Sequence, residues 1–209
     1  MKLNPEELKK RLPDRVSRRR AEHILGVARE IEYMADSFGL GEEDRLGLIC
    51  AALLHDVTKE ETIADQVKRI RDFGLPLSED DLRAEETLHA LSGYVCARTD
   101  FQLPETYAAA VRAHSTGWGS MRLLDKLLFA ADYIEEGRPY ENCKKIRNFF
   151  HEGVDRGRNL EERLEILDRS VYNIANNTVE YLIRRNMFIH PNTLILRNSL
   201  LHSMKGSAK

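Results

Sequence analysis

An all-α helical bundle is the fold this sequence predicts, on three observations. Apolar residues recur at three- and four-residue spacing through most of the chain. Cap residues, early prolines and acidic first turns precede several of these windows, and glycines close them. The two-residue alternation of strands is absent, apart from a weak "NTLILRNSLL" near the C-terminus.

The elements follow in order. "NPEELKKRL" opens with Asn4 as a cap, Pro5 at the first helical position and Glu7 three residues after the cap. A second helix is predicted from about Asp14 to Phe38, with His23, Val27, Ile31 and Met34 on one face and Gly39 as its stop. "EEDRLGLICAALLHD" is the third helix, and "ETIADQVKRIRDFG" a shorter, more polar one ending at Gly74. "SEDDLRAEETLHALSGYVCARTD" reads as one helix or two. "LPETYAAAVRAH" starts at Pro104 and ends near "STGWGS"; the amphipathic "SMRLLDKLLFAADYIEEG" ends at Gly137. A long helix is predicted over "NLEERLEILDRSVYNIANNTVEYLIRRN", as a dimer face or as a cover for the core. The segment "RPYENCKKIRNFFHEGVDRGRN" reads as a loose joint between the bundle and that helix. With no repeat, low-complexity tract or Pro/Gly/Ser-rich linker, residues 1–209 are read as one domain, with a core at about 15–140 and a helical extension at about 141–209.

Composition narrows the function. Apolar residues at 42% and charged residues at 32% fit a folded globular chain. A formal net charge of -2 gives no global basic field for nucleic acid. Cys50, Cys96 and Cys143 are scattered, without the CxxC spacing of a zinc ribbon, and read as buried thiols. No apolar run reaches the roughly 18 residues of a membrane span, and "MKLNPEELKKRLPDR" lacks the apolar core of a signal peptide. The expected location is cytoplasmic, with no membrane or nucleic-acid partner.

Seven histidines are present. His23, His55, His89 and His114 lie on or at the ends of predicted amphipathic helices, and Asp56 and Asp132 join them on apolar faces. Any one of these alone reads more readily as a satisfied core histidine or an ordinary ion-pair partner. His151, His190 and His202 are left in that class. The His55-Asp56 pair says more, because a carboxylate at the end of the apolar run "ICAALL" needs partners to offset several kcal/mol of desolvation. A metal ion would supply them.

The ordered set H…HD…H…H…D resembles the HD-domain superfamily of metal-dependent phosphohydrolases. The motifs "RAEHILGVA", "AALLHDVTK", "LHALSGYVCA", "VRAHSTG" and "DKLLFAADYIEEGR" resemble in particular its YqeK-type branch of symmetrical diadenosine-tetraphosphate hydrolases, and "IRRNMFIHPNTLILRNSLL" fits that branch's closing segment. The likeness covers about Arg15 to Leu201. Two departures stand out: Glu136 where the family often has proline, and Ser115 after His114 where threonine is common.

The resemblance implies a dinuclear site. Asp56 would bridge two metals, one also held by His23, His55 and Asp132, the other by His89 and His114. Imidazole and carboxylate ligands suit iron, manganese, cobalt, nickel or zinc, and argue against calcium; the resemblance favours di-iron. It implies cleavage of diadenosine tetraphosphate to two ADP by a metal-bridging hydroxide, with His55, Asp56 and Lys59 as catalytic residues and ADP or GDP as a product-like ligand. Lys59, one turn after His55, Arg138, Arg20, Ser115 and Thr116 are the phosphate-binding candidates, with Lys145 and Arg147 weaker ones; Lys59 reads alternatively as a solvated helix end, Arg20 as part of a solvated face, and Ser115 and Thr116 as turn caps. Trp118 and Tyr140 are candidates for stacking on a base, against a plain packing role. Two other readings share these residues: a phosphohydrolase of another nucleotide, such as a nucleoside monophosphate or a guanosine alarmone, and a non-catalytic metal- and nucleotide-binding sensor.

Overall fold

The computed structural model describes residues 4–206; the outermost three residues at each end, among them the first three of the charged N-terminal stretch, lie outside it. Eleven α-helices are described: α1 (Pro5–Arg11), α2 (Arg18–Ser37), α3 (Glu42–Leu54), α4 (Ile63–Asp72), α5 (Glu79–Arg83), α6 (Leu88–Thr99), α7 (Glu105–Ala113), α8 (Leu123–Ile134), α9 (Glu141–Arg156), α10 (Leu160–Arg184) and α11 (Pro191–Gly206). No strand occurs among the described residues, and none of their helices is long and apolar enough to cross a membrane.

Local chemistry sets the boundaries. The Asn4 side chain accepts from the Glu7 amide and Pro5 opens α1, as the sequence predicts. α2 begins later than expected. A 3-10 turn over Leu12–Asp14 intervenes, and Ser17 caps the helix by accepting from the Arg20 amide. Ser17 also donates its hydroxyl and amide to Glu60, each at 2.7 Å, which ties the start of α2 to the turn after α3. The segment predicted as one helix or two is two. α5 stops at Ala84 (ψ 51°), and a 3-10 turn over Glu85–Thr87 precedes α6.

The core forms where the predicted faces meet. Ile24, Val27, Ile31 and Met34 of α2 are fully buried against Leu48, Ala51, Ala52 and Leu53 of α3 and Leu127, Leu128 and Ile134 of α8. α7 packs on α3, α6 and α8, and α10 carries α9 and α11 onto the far side of α8. One face of α10, with Leu167, Val171 and Ile174, covers the core, while Tyr181 and Ile183 near its end stay exposed.

Two expectations are corrected. The joint predicted over "RPYENCKKIRNFFHEGVDRGRN" is largely helix: Cys143, Ile146, Phe150 and Val154 of α9 recur at three- and four-residue spacing and are buried. Their intervening charged residues hide this period in a sequence window. The weak strand "NTLILRNSLL" is the body of α11. Thr193, Leu196 and Leu200 face inward at helical spacing, and Leu194 and Ile195 are exposed. Gly117, at φ 63°, admits Leu196, whose Cδ2 lies 2.4 Å from where a Cβ would stand.

Candidate metal centre

Six side chains reach one point from five elements. His23 comes from the second turn of α2 and Asp132 from the last turn of α8. His55 and His114 are the C-caps of α3 and α7, still in right-handed helical geometry, and Asp56 follows at once. His89 sits in the first turn of α6. The turn after α3 is stapled down. The Thr58 hydroxyl donates to the His89 carbonyl at 3.1 Å, and the Gln66 amide donates to the carbonyls of Thr58 and Glu61.

Each histidine has its outer nitrogen engaged. Nδ1 meets the Ala52 carbonyl for His55 (2.6 Å), the Glu86 carbonyl for His89 (2.8 Å), the Val111 carbonyl for His114 (2.7 Å) and Glu135 Oε1 for His23 (3.2 Å). These oxygens only accept, so in His23, His55 and His114 Nδ1 carries the hydrogen and in the neutral ring Nε2 presents its lone pair, whereas at His89 the Lys59 ammonium, which only donates, also lies 2.9 Å from Nδ1. All four Nε2 atoms turn toward the two aspartates.

Asp56 divides them into pairs. Its Oδ2 lies 3.8 Å from His23 Nε2 and 3.7 Å from His55 Nε2; its Oδ1 lies 3.3 Å from His89 Nε2 and 3.5 Å from His114 Nε2. Asp132 Oδ1 joins the first pair, at 2.9 Å from His23 and 3.7 Å from His55.

The donor set fits cations. His55 Nε2 is buried without a hydrogen-bond partner, and the Nε2 atoms of His89 and His114 face each other at 3.0 Å. Convergent lone pairs beside buried carboxylates are the arrangement a cation satisfies. Among the described residues, two ligand groupings are compact enough to hold an ion: His23, His55 and Asp132, and His55, Asp56 and His114.

Electrostatics favour the ligand forms. Burial pushes the Asp56 carboxyl up, yet the imidazoles of His55, His114 and His89 hold it well below the ordinary range. Asp132 is likewise opposed by burial and held well below by the Arg138 guanidinium and by His23 and His55. Burial and the Lys59 ammonium keep His89 neutral, with its pKa well below the usual 6.5. Burial lowers His23, but its bonds to Asp132 and Glu135 outweigh this and raise it to about 9, so a proton and a cation compete for its Nε2.

Three cations ring the cluster. Lys59 Nζ lies 2.9 Å from His89 Nδ1 and donates to the Glu86 carbonyl at 3.2 Å. Arg20 pairs with Asp56 Oδ2 at 2.5 Å and Arg138 with Asp132 Oδ1 at 2.6 Å. Lys59, Arg138 and Ser115 line one cavity of about 590 Å³ beside the cluster. Thr116 and Trp118 do not join them. They line a separate recess of about 60 Å³, where the Thr116 hydroxyl donates to the Gly117 carbonyl at 3.3 Å. His151 and His190 pair elsewhere, with Glu30 at 2.7 Å and Asp81 at 3.2 Å.

A family model for the HD domain matches residues 20–137, the stretch from Arg20 to Gly137 that carries all six convergent side chains. The chain belongs to the HD-domain family. This HD-domain chain is 29% identical over 189 residues to the symmetrical bis(5'-nucleosyl)-tetraphosphatase of Halalkalibacterium halodurans, covering 89% of the chain and 91% of that protein. It is 28% identical to the protein of that name from Staphylococcus aureus, covering 92% of each. A solved structure from Clostridium acetobutylicum, described as a predicted HD superfamily hydrolase involved in NAD metabolism, superposes with a TM-score of 0.83 at 25% identity, covering 96% of this chain and 98% of that one.

Glu135 and Gly26 of this HD-domain site carry no assigned role in the sequence reading. Glu135 is buried, holds His23 Nδ1 and accepts the Gly137 amide at 2.6 Å through Oε2. Gly26, one turn after His23, makes room for it: a Cβ there would stand 2.3 Å from Glu135 Oε2. The available signal was spacing, since Glu135 is three residues after Asp132 and Gly26 three after His23. Arg147 of α9 donates to the carbonyls of Ile134, Glu135 and Arg138, so it fixes the loop that aims Arg138.

Proposed function

We propose that this HD-domain hydrolase cleaves diadenosine tetraphosphate symmetrically, with water adding to a central phosphorus and the P–O–P bridge breaking to leave two ADP. The observation that carries the reading is the division of Asp56, one oxygen facing His23 and His55 and the other facing His89 and His114, beside a cavity lined by Lys59 and Arg138. Three relatives named as symmetrical bis(5'-nucleosyl)-tetraphosphatases support the same substrate.

His23, His55, Asp56 and Asp132 would hold one cation, and Asp56, His89 and His114 a second. Iron is the metal we assign, with manganese, cobalt, nickel and zinc sharing its ligand chemistry. When bound, such a pair supplies Lewis acidity toward phosphoryl oxygens and activates water near neutral pH. The rest is done by the chain. Glu135 keeps the hydrogen on His23 Nδ1 and so keeps Nε2 inward. Arg138 presents a planar fork suited to phosphate, and Lys59 a compact charge on the cavity wall. Both cations stabilise the negative charge that develops on the departing ADP. The apolar run Ile49–Leu54 buries the base of the site and fixes where His55 and Asp56 stand.

Product analysis tests the reading. Metal-loaded protein given diadenosine tetraphosphate is expected to yield ADP alone; AMP with ATP overturns symmetrical cleavage.

A further inference from the structure

Two adjoining cavities reach the metal centre through Arg138. The first, of about 590 Å³, runs from Lys59 and Ser115 to Met187 and Phe188 in the α10–α11 loop. The second, of about 570 Å³, is walled by Tyr133, Tyr140, Asn142, Cys143 and Asn177. Both lie within the size range of small-molecule sites. Arg138, Thr178 and Tyr181 line both, so the cavities meet at the guanidinium that is 2.6 Å from Asp132.

We propose that the second cavity binds the second nucleoside of a dinucleoside polyphosphate, with the phosphate chain passing Arg138 between the two cavities. The inference rests on the function proposed above and adds where the departing half is held.

Three features carry it. Tyr140 and Tyr181 are 61% and 53% exposed, a large apolar surface that nothing in the fold covers, and both rings border the second cavity. Aromatic faces of this kind stack on nucleobases. Asn142 and Asn177 add side-chain amides, each offering donors and an acceptor to a base edge. Symmetry of cleavage supplies the third. Breaking the central bridge of a tetraphosphate leaves a nucleoside diphosphate on each side of the reacting phosphorus. Two cavities that meet at Arg138, the guanidinium paired with Asp132, match that requirement.

The probes are ADP and diadenosine tetraphosphate, with metal-loaded full-length protein. Calorimetric titration is expected to count two ADP per chain, falling to one in Tyr140→Ala and to one in Phe188→Ala. Tyr140→Ala is also expected to raise KM for diadenosine tetraphosphate about tenfold, as for one lost base–aromatic stack, with kcat within about twofold. Tyr140 is exposed, and matching thermal melts confirm that the variant folds. One ADP per chain in the unaltered protein, or two in Tyr140→Ala, overturns the second site. If ADP binds once while the tetraphosphate still gives ADP alone, this inference falls and the proposed function stands. If two ADP bind but the products are AMP and ATP, the function falls and the site stands.

Discussion

Asp56 is the side chain on which the site turns. Its carboxylate is buried and faces four imidazole nitrogens. On the proposed two-cation reading Asp56 is the shared ligand, so Asp56→Ala is expected to lower bound metal from two equivalents per chain toward none and to abolish hydrolysis, read by elemental analysis and by ADP release. Glu135 acts through His23. Glu135→Gln keeps the shape and loses the charge that orients the ring, and metal affinity is expected to fall about 10- to 100-fold in a titration. Gly26→Ala makes a sharper test. In a helix interior this change ordinarily stabilises by about 1 kcal/mol, but here the new Cβ meets Glu135 Oε2 at 2.3 Å. Metal affinity is expected to drop in Gly26→Ala as in Glu135→Gln; unchanged affinity would show that Glu135 does not position His23. The histidines and aspartates were legible because their types and order carry the chemistry. Gly26 and Glu135 were not legible as a pair, because 109 positions separate them and only packing of α2 on the end of α8 brings them together.

Helices whose apolar stripe is broad, or that begin with a cap residue, were legible as elements: α1, α2, α3, α8 and α10 stand within a few residues of the predicted bounds. α9 and α11 were not. In α11 the run "TLILRNSLL" holds apolar residues on every side, so its local pattern fits a strand as well as a helix. Substitution separates the two. On a strand, Leu194 and Leu196 would share a face; in α11 Leu196 is 1% exposed and Leu194 is 38% exposed. Leu196→Ala is expected to cost about 2–5 kcal/mol in denaturant unfolding, and Leu194→Ala less than about 0.5 kcal/mol. Equal costs would contradict the helical register.

At the scale of the molecule, α9 is tethered to α2 by the His151–Glu30 pair at 2.7 Å. The bond to Glu30 raises the His151 pKa above the ordinary 6.5, with burial opposing. A raised folded-state value means the charged pair stabilises fully below the unfolded pKa and ceases to do so as pH rises through the folded one. Unfolding free energy measured at about pH 6 and about pH 9 is therefore expected to show a loss with pH that is smaller in His151→Gln. An identical pH dependence in the two proteins would remove the tether. Asp155 and Arg147 also face this histidine with opposite effects, so the comparison is made on the same chain with one side chain changed.

The sequence by itself determined the helical class, the six convergent side chains and their order, because period and residue type are local properties that survive in one dimension. Tertiary structure decided how those side chains are grouped. The split of Asp56 between two histidine pairs, the pairing of Arg20 and Arg138 with the two aspartates, the separation of Thr116 from the cavity of Lys59, and the meeting of two cavities at Arg138 all depend on how helix ends are aimed. That aim is set by buried contacts between residues far apart in the chain, and no local window contains them.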